Sequence, residues 1–189
     1  METYEIKRLG HQGDGIADGP VFAPLTLPGE VVTGQLDGQR LTDIRVQTPS
    51  GDRIAAPCRH FKSCGGCQLQ HASDEFVSEW KVDVVRQALK AHGLETEFRP
   101  IVTSPAQSRR RASLAVRRTK KGAMSGFHAR ASDTLVAVPD CQLVTPAITA
   151  SFPALEALIP LSCSRKGEVS FTVTDSLGGP DIRVDTDKE

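Results

Sequence analysis

A chain of 189 residues, 39% of them apolar, can bury one core or two small ones, and no window approaches the ~18 consecutive apolar residues of a membrane-spanning helix. Aromatic residues make up 5%, with one Trp and one Tyr, which argues against extensive base-stacking platforms. The zero net charge conceals an asymmetry: residues 1–57 carry −3, residues 58–141 carry +6 and residues 142–189 carry −3, so the middle of the chain points toward a polyanionic partner. Met1-Glu2-Thr3-Tyr4 begins no signal peptide, and five cysteines in a chain this long do not make a disulfide scaffold. The expected location is the cytoplasm.

Residues 1–56 are expected to be all-β. Tyr4-Glu5-Ile6-Lys7 alternates apolar and polar side chains before the break at Gly10–Gly15, and Val21-Phe22-Ala23 ends at Pro24. Glu30–Leu36 and Leu41–Val46 flank Asp37-Gly38, a strong hairpin signal. Several short strands in so few residues favour a small closed barrel, because closure removes exposed edges. Gly13-Asp14-Gly15 lacks the third glycine and the following helix of a phosphate loop, so it is taken as a turn.

Cys58-x5-Cys64-Gly65-Gly66-Cys67 comes next, and after 73 intervening residues a fourth cysteine, Cys141. Two thiolates two residues apart can face one metal, and glycines between them bring backbone N–H groups toward the sulfurs. Four soft ligands suit zinc or an iron–sulfur cluster. The five-residue gap and the isolated fourth cysteine lean toward the cluster, since structural zinc sites usually pair two close knuckles. Closing so long a loop through a metal would constrain the unfolded chain by roughly 4 kcal/mol.

Residues 73–92 carry the clearest helical pattern. Ser73 is the expected N-cap, Asp74 and Glu75 suit the first turn, and Gly93 can terminate the helix. Phe76, Val77, Trp80, Val84, Ala88 and Leu89 recur at helical spacing, so Trp80 is expected in a core and the apolar stripe is expected to shield the metal. The run from Arg109 to Lys121 has seven basic residues in 13 and none acidic, with a strand-like Leu114-Ala115-Val116 at its centre. Two further strands should lead to Cys141. Residues 145–159 are expected to form two short helices interrupted at Pro153, and Val169–Val173 with Ile182–Val184 a hairpin. Asp175–Pro180 contains no helix start and is not read as a cofactor loop.

With these motifs in place, the sequence resembles the N-terminal half of the S-adenosylmethionine-dependent RNA (uracil-5-)methyltransferases, which act on tRNA or 23S ribosomal RNA. His11–Ala17 and Leu27–Val32 look like that family's TRAM domain, an OB-like RNA-binding barrel. Cys58–His71 looks like its cluster motif and Cys141-Gln142-Leu143 like its fourth-ligand segment. Trp80-Lys81 and Arg109–Ala112 match in position.

The resemblance implies an α+β chain with a TRAM-like barrel over residues 1–56 and an α+β domain over residues 57–189. It implies a [4Fe-4S] cluster on Cys58, Cys64, Cys67 and Cys141, structural or RNA-handling in role. It also implies a Rossmann-like catalytic domain in which a cysteine adds to uracil C6 and S-adenosylmethionine methylates C5. Residues 142–189 offer no Gly-rich cofactor loop, and Cys163 does not match the nucleophile's motif, so no catalytic residue is assigned. The candidate phosphate contacts are Arg109, Arg110, Arg111, Arg117, Arg118, Lys120 and Lys121, with 23S rRNA or tRNA as partner and a separate catalytic domain or chain as a second one. A solvated strand face is the competing explanation for the basic residues. A stand-alone, non-catalytic RNA-binding protein with a zinc or iron–sulfur staple is the alternative for the whole chain. A radical S-adenosylmethionine enzyme would need a Cys-x3-Cys-x2-Cys triad, which the spacing here does not supply.

Overall fold

The structure is a computed structural model that describes residues 2–120, 122–164 and 167–185. It divides into two compact units, Met1–Ala56 with Gln68–Thr103, and Pro57–Cys67 with Ser104–Glu189. The chain therefore passes between units three times. Residues 68–103 group with the N-terminal strands, where the sequence had suggested a single boundary after residue 56.

The first unit holds six strands: β1 (Glu2–Glu5), β2 (Arg8–Leu9), β3 (Gly15–Ala17), β4 (Val21–Ala23), β5 (Val31–Asp37) and β6 (Arg40–Thr48). Their order is β1-β5-β6-β4-β3-β2. No ladder joins β1 to β2, so the sheet is a half-barrel rather than the closed barrel expected. The two edge strands are nonetheless consecutive pieces of one bent segment. At the bend the Ile6 N–H donates to Glu30 O at 2.9 Å and the Lys7 N–H to Ile16 O at 2.9 Å, one toward each side of the sheet. Ile6 is fully buried with Ala23 and Val32, and Ala17, Val21 and Leu41 complete this core. The β5–β6 hairpin turns through Gly38-Gln39, with Asp37 opposite Arg40.

Helix α1 (Asp74–Ala91) also belongs to the first unit. Ser73 caps it by accepting the Phe76 N–H at 3.2 Å, Asp74 and Glu75 lie in the first turn, and Gly93 follows with φ +70°. None of its residues is buried. Trp80 is half-buried, not a core residue. A helical stripe in sequence states which side chains share a face, not what covers them.

The second unit is a five-stranded antiparallel sheet, β11-β10-β7-β8-β9, built from β7 (Arg111–Thr119), β8 (Gly122–His128), β9 (Leu135–Ala137), β10 (Glu168–Ser176) and β11 (Gly179–Asp185). Alternate residues of β7 (Ala112, Leu114, Val116) and of β10 (Val169, Phe171, Val173) point to one face. There they meet Ile148 of α2 (Pro146–Ala150) and Phe152, Leu155 and Ile159 of α3 (Phe152–Ser162). Each fully buried Leu, Ile or Phe in that layer contributes about 1.5–3 kcal/mol of transfer free energy. The two helices meet at Ser151, and Pro153 sits in the first turn of α3, where a missing N–H costs nothing. The Glu156 carboxylate ties α3 to β8 by accepting the Ser125 N–H and hydroxyl at 3.0 and 2.8 Å. Among the described residues no helix is long and apolar enough to cross a membrane.

Candidate metal centre and nucleic-acid interface

The cysteine loop folds on itself. Phe61 N–H donates to Cys58 O at 3.1 Å, while Ser63 and Cys64 N–H both donate to His60 O, at 3.0 and 2.7 Å. Gly65 N–H then binds His128 O at the end of β8, at 2.9 Å. A Cβ on Gly65 would sit 2.7 Å from that oxygen, so the close approach requires glycine. Gly66 N–H donates to Cys64 Sγ at 3.4 Å, the N–H···S contact anticipated from the Gly-Gly pair.

Cys141 arrives from the other direction. Residues 107–109 pair with residues 142–144 through Gln107 N–H to Gln142 O at 2.9 Å and Arg109 N–H to Leu143 O at 3.1 Å. This short parallel pairing runs into β7 and carries Val144 into the core. Cys141 is buried in that core, and Cys64 packs against it. Burial pushes the Cys64 thiol up, Gly66 N–H opposes this, and negative charge on Cys141 and Cys58 pushes it up further. Cys58, Cys64 and Cys141 thus lie within electrostatic reach of one another's neighbourhood, and Cys67 follows Gly66 in the same loop. None of the five cysteines forms a disulfide. Among the described residues no group of three or more His, Cys, Asp or Glu side chains is arranged to hold a metal ion. Cys163 sits at the C-cap of α3, where it donates to Ile159 O at 3.6 Å.

Beside the cysteines stands a polar cluster that nothing in the sequence announced. Asp140 pairs with Arg59 Nε at 3.0 Å and with His60 Nε2 at 2.8 Å. The His60 hydrogen bond, then the Arg59 charge, hold the Asp140 carboxyl below its usual value.

The basic run divides between tasks. Arg117 is held by Glu168, with Nε 2.8 Å from Oε2, and by Asp133 O at 2.9 Å. Arg110 Nε donates to Asp175 O at 3.0 Å. These two guanidinium groups brace the sheet. Arg109, Arg111, Arg118 and Lys120 form no ion pair with the described residues, and Arg109, Arg111 and Lys120 are exposed. The period of two along β7 sets Arg111 and Arg117 on the face opposite Arg118. The candidates therefore do not share one surface. Lys121 lies outside the described residues.

In the first unit, α1 and the β1–β2 segment line a cleft of about 1120 Å³ that includes Lys7, Arg8, His11, Phe76, Trp80 and Arg86. Glu79 and Asp83 share its walls. Deeper in this unit Glu30 is fully buried, bound by both Nε and Nη2 of Arg53, by Leu27 N–H at 2.9 Å and by Ser50 N–H at 3.2 Å. Burial alone would raise its pKa; Arg53 and the two backbone donors outweigh that and hold it low. His71, the last residue of the cysteine motif, groups with this unit and is buried. Burial, with the Arg53 charge adding to it, pushes its pKa down to about 4.

No known protein-family model matches the sequence. An uncharacterised RNA methyltransferase of Caulobacter vibrioides is 42% identical over 191 residues, a match that takes in 97% of this chain and 46% of that protein. A 23S rRNA (uracil(1939)-C(5))-methyltransferase of Marinomonas sp. is 31% identical over 164 residues, covering 82% of this chain and 37% of that one. Among solved structures, the tRNA (uracil-54, C5)-methyltransferase of Pyrococcus abyssi, crystallised with S-adenosyl-L-homocysteine, is similar with a TM-score of 0.64. It aligns over 96% of this chain and 44% of its own at 20% identity, a likeness of fold. Along nearly its whole length, then, the chain is similar to RNA methyltransferases, and it spans less than half the length of the curated relatives it matches.

Proposed function

We propose that this chain supplies the RNA-binding portion of an S-adenosylmethionine-dependent RNA (uracil-5-)methyltransferase, with methyl transfer performed by a domain outside it. The observation that carries the reading is the 42% identity over 97% of the chain to an RNA methyltransferase more than twice its length. The chain itself is given no catalytic residue. Its half-barrel is read as TRAM-like, and its substrate as 23S rRNA or tRNA in the cytoplasm.

In this reading Cys58, Cys64, Cys67 and Cys141 hold a [4Fe-4S] cluster. The donor set fits: four thiols on two loops, one of them already receiving a backbone N–H from Gly66. Bound there, the cluster would act as a cross-link between the loops; the fit is one of donor chemistry, since among the described residues no three donors are arranged around a metal. Arg109, Arg111, Arg118, Lys120 and Lys121 are the phosphate contacts, while Arg110 and Arg117 hold the sheet.

Anaerobic purification followed by iron, sulfide and zinc analysis tests the metal assignment. Four irons with sulfide and a brown visible spectrum are expected. A colourless zinc-loaded chain would replace the cluster by zinc, and a metal-free chain would remove the site. RNA binding tests the rest: affinity for a uridine-containing rRNA fragment or tRNA should fall steeply between about 50 and 200 mM salt. Absence of binding, or binding insensitive to salt, overturns the RNA-binding role.

A further inference from the structure

The two cysteine-bearing segments of the second unit are distant in the chain, and one carboxylate joins them. Asp140, directly before Cys141, accepts from Arg59 Nε on Oδ2 at 3.0 Å and stands 2.8 Å from His60 Nε2 through Oδ1. Arg59 and His60 directly follow Cys58. Both carboxylate oxygens are thus engaged by the same loop. Each end is fixed in turn. His60 O accepts two backbone N–H groups of that loop, from Ser63 and Cys64. On the other side Asp140 O accepts Gln142 Nε2 at 2.9 Å, and Cys141 N–H reaches Val138 O at 3.2 Å. A carboxylate held on one oxygen by a guanidinium N–H and on the other by the neighbouring imidazole nitrogen is fixed in direction as well as distance.

We propose that Arg59, His60 and Asp140 are positioning residues for the cysteine site, a polar clamp that sets Cys141 against the Cys58–Cys67 loop before any metal arrives. The inference rests on the reading of the cysteines as ligands. Bringing together two segments separated by 80 residues costs loop-closure entropy, and a clamp that meets part of this cost in the metal-free chain leaves less to be lost on binding. The clamp side chains act through the cysteines and are not themselves donors. Arg59 is 68% and Asp140 45% exposed, so water and salt weaken the pair, and its effect is a several-fold change rather than orders of magnitude.

The test is made on the full chain, metal-free and reduced, by following alkylation of buried Cys141 with iodoacetamide and mass spectrometry. Asp140→Ala should speed modification of Cys141 by roughly three- to ten-fold, the range of an exposed ion pair with a second donor. Arg59→Gln combined with His60→Gln should give a similar increase, and adding Asp140→Ala to that pair should add nothing. Backbone amides of β7 and β10 should exchange at the wild-type rate in every variant, which separates the clamp from a general loss of stability. In the metal-loaded chain, Asp140→Ala should speed release of iron or zinc to a chelator by a comparable factor, and about 1 M salt should erase most of the difference from wild type. Unchanged Cys141 reactivity in Asp140→Ala, or effects of the variants that simply add, overturns the clamp while the ligand reading stands. A chain that takes up neither iron nor zinc overturns both together.

Discussion

At the level of single residues, the buried charge of the first unit makes the sharpest demand. Glu30 is fully buried and accepts from Arg53 twice and from Leu27 and Ser50 once each. Arg53 is itself mostly shielded and also donates to Leu25 O at 2.9 Å. Removing one partner strands the other's charge, which costs far more than the intact pair contributes. Glu30→Ala should therefore destabilise the first unit by about 3 kcal/mol, read as a lowered urea midpoint. Acid should act on the same region through two groups. The folded-state pKa of His71 is depressed from 6.5 to about 4, so folding favours its neutral form. That contribution is complete above pH 6.5 and is lost as the pH falls from 6.5 through 4. It amounts to roughly 3 kcal/mol. The Glu30 pKa is also lowered, so its contribution is present above 4.5 and lost below that. Urea midpoints measured from pH 7.5 down to 4 should decline, and His71→Gln should flatten the decline between 6.5 and 4.5. A wild-type midpoint that stayed level over that window would refute the His71 assignment. Neither Glu30–Arg53 nor Asp140 with Arg59 and His60 could be read from the sequence, because the Glu30–Arg53 pair spans 23 residues and the His60–Asp140 pair 80, with Arg59 one residue further, and none leaves a periodic trace.

Local chemistry is legible where it is complete within one element. Ser73, Asp74, Glu75 and Gly93 state the ends of α1 in sequence, and the structure places the cap within a residue of them. Strand β7 follows from alternation, β8 and β9 from Gly122, Gly126 and the Leu135-Val136 pair, and the β10–β11 hairpin from its flanking apolar runs. Two helices, α2 and α3, form as Pro153 suggests, although the break falls at Ser151 and Pro153 lies in the first turn of α3. What a stripe cannot say is its partner. Trp80 has the right spacing for a core residue, yet lines an open cleft with Lys7 and Arg8. Close approaches between elements are equally silent until the sheet is built. A Cβ on Gly126 would lie 1.9 Å from Val136 O on β9, in backbone that cannot move without breaking the β8–β9 ladder. Gly126→Ala should cost about 2–3 kcal/mol. Because Val136 and Val138 join β9 to the turn bearing Cys141, hydrogen exchange in residues 135–142 should rise with it, whereas Gly38→Ala, where nothing lies within 4 Å, should leave that segment unchanged.

Over the whole molecule, charge is distributed by sequence block, while its availability is decided by the fold. The +6 of residues 58–141 is real, but Arg117 is bound to Glu168 and to the backbone O of Asp133, Arg110 to Asp175 O, Arg59 to Asp140 and Arg86 to Asp83. What remains near β7 is Arg109, Arg111, Arg118 and Lys120, on both faces of a strand. Salt dependence can separate bracing from binding, because each phosphate contact adds about 0.7 to the slope of log affinity against log salt for single-stranded RNA. If the RNA assignment holds, Arg111→Ala and Lys120→Ala should each reduce the slope by nearly that amount and weaken binding to all sequences alike. Arg117→Ala should instead lower the unfolding midpoint and leave the slope near its wild-type value, since its guanidinium already has two partners. Equal slopes for Arg111→Ala and wild type, with Arg117→Ala the one variant to change it, would mean that the phosphate path follows the bracing residues and that the ion pair with Glu168 opens when RNA binds.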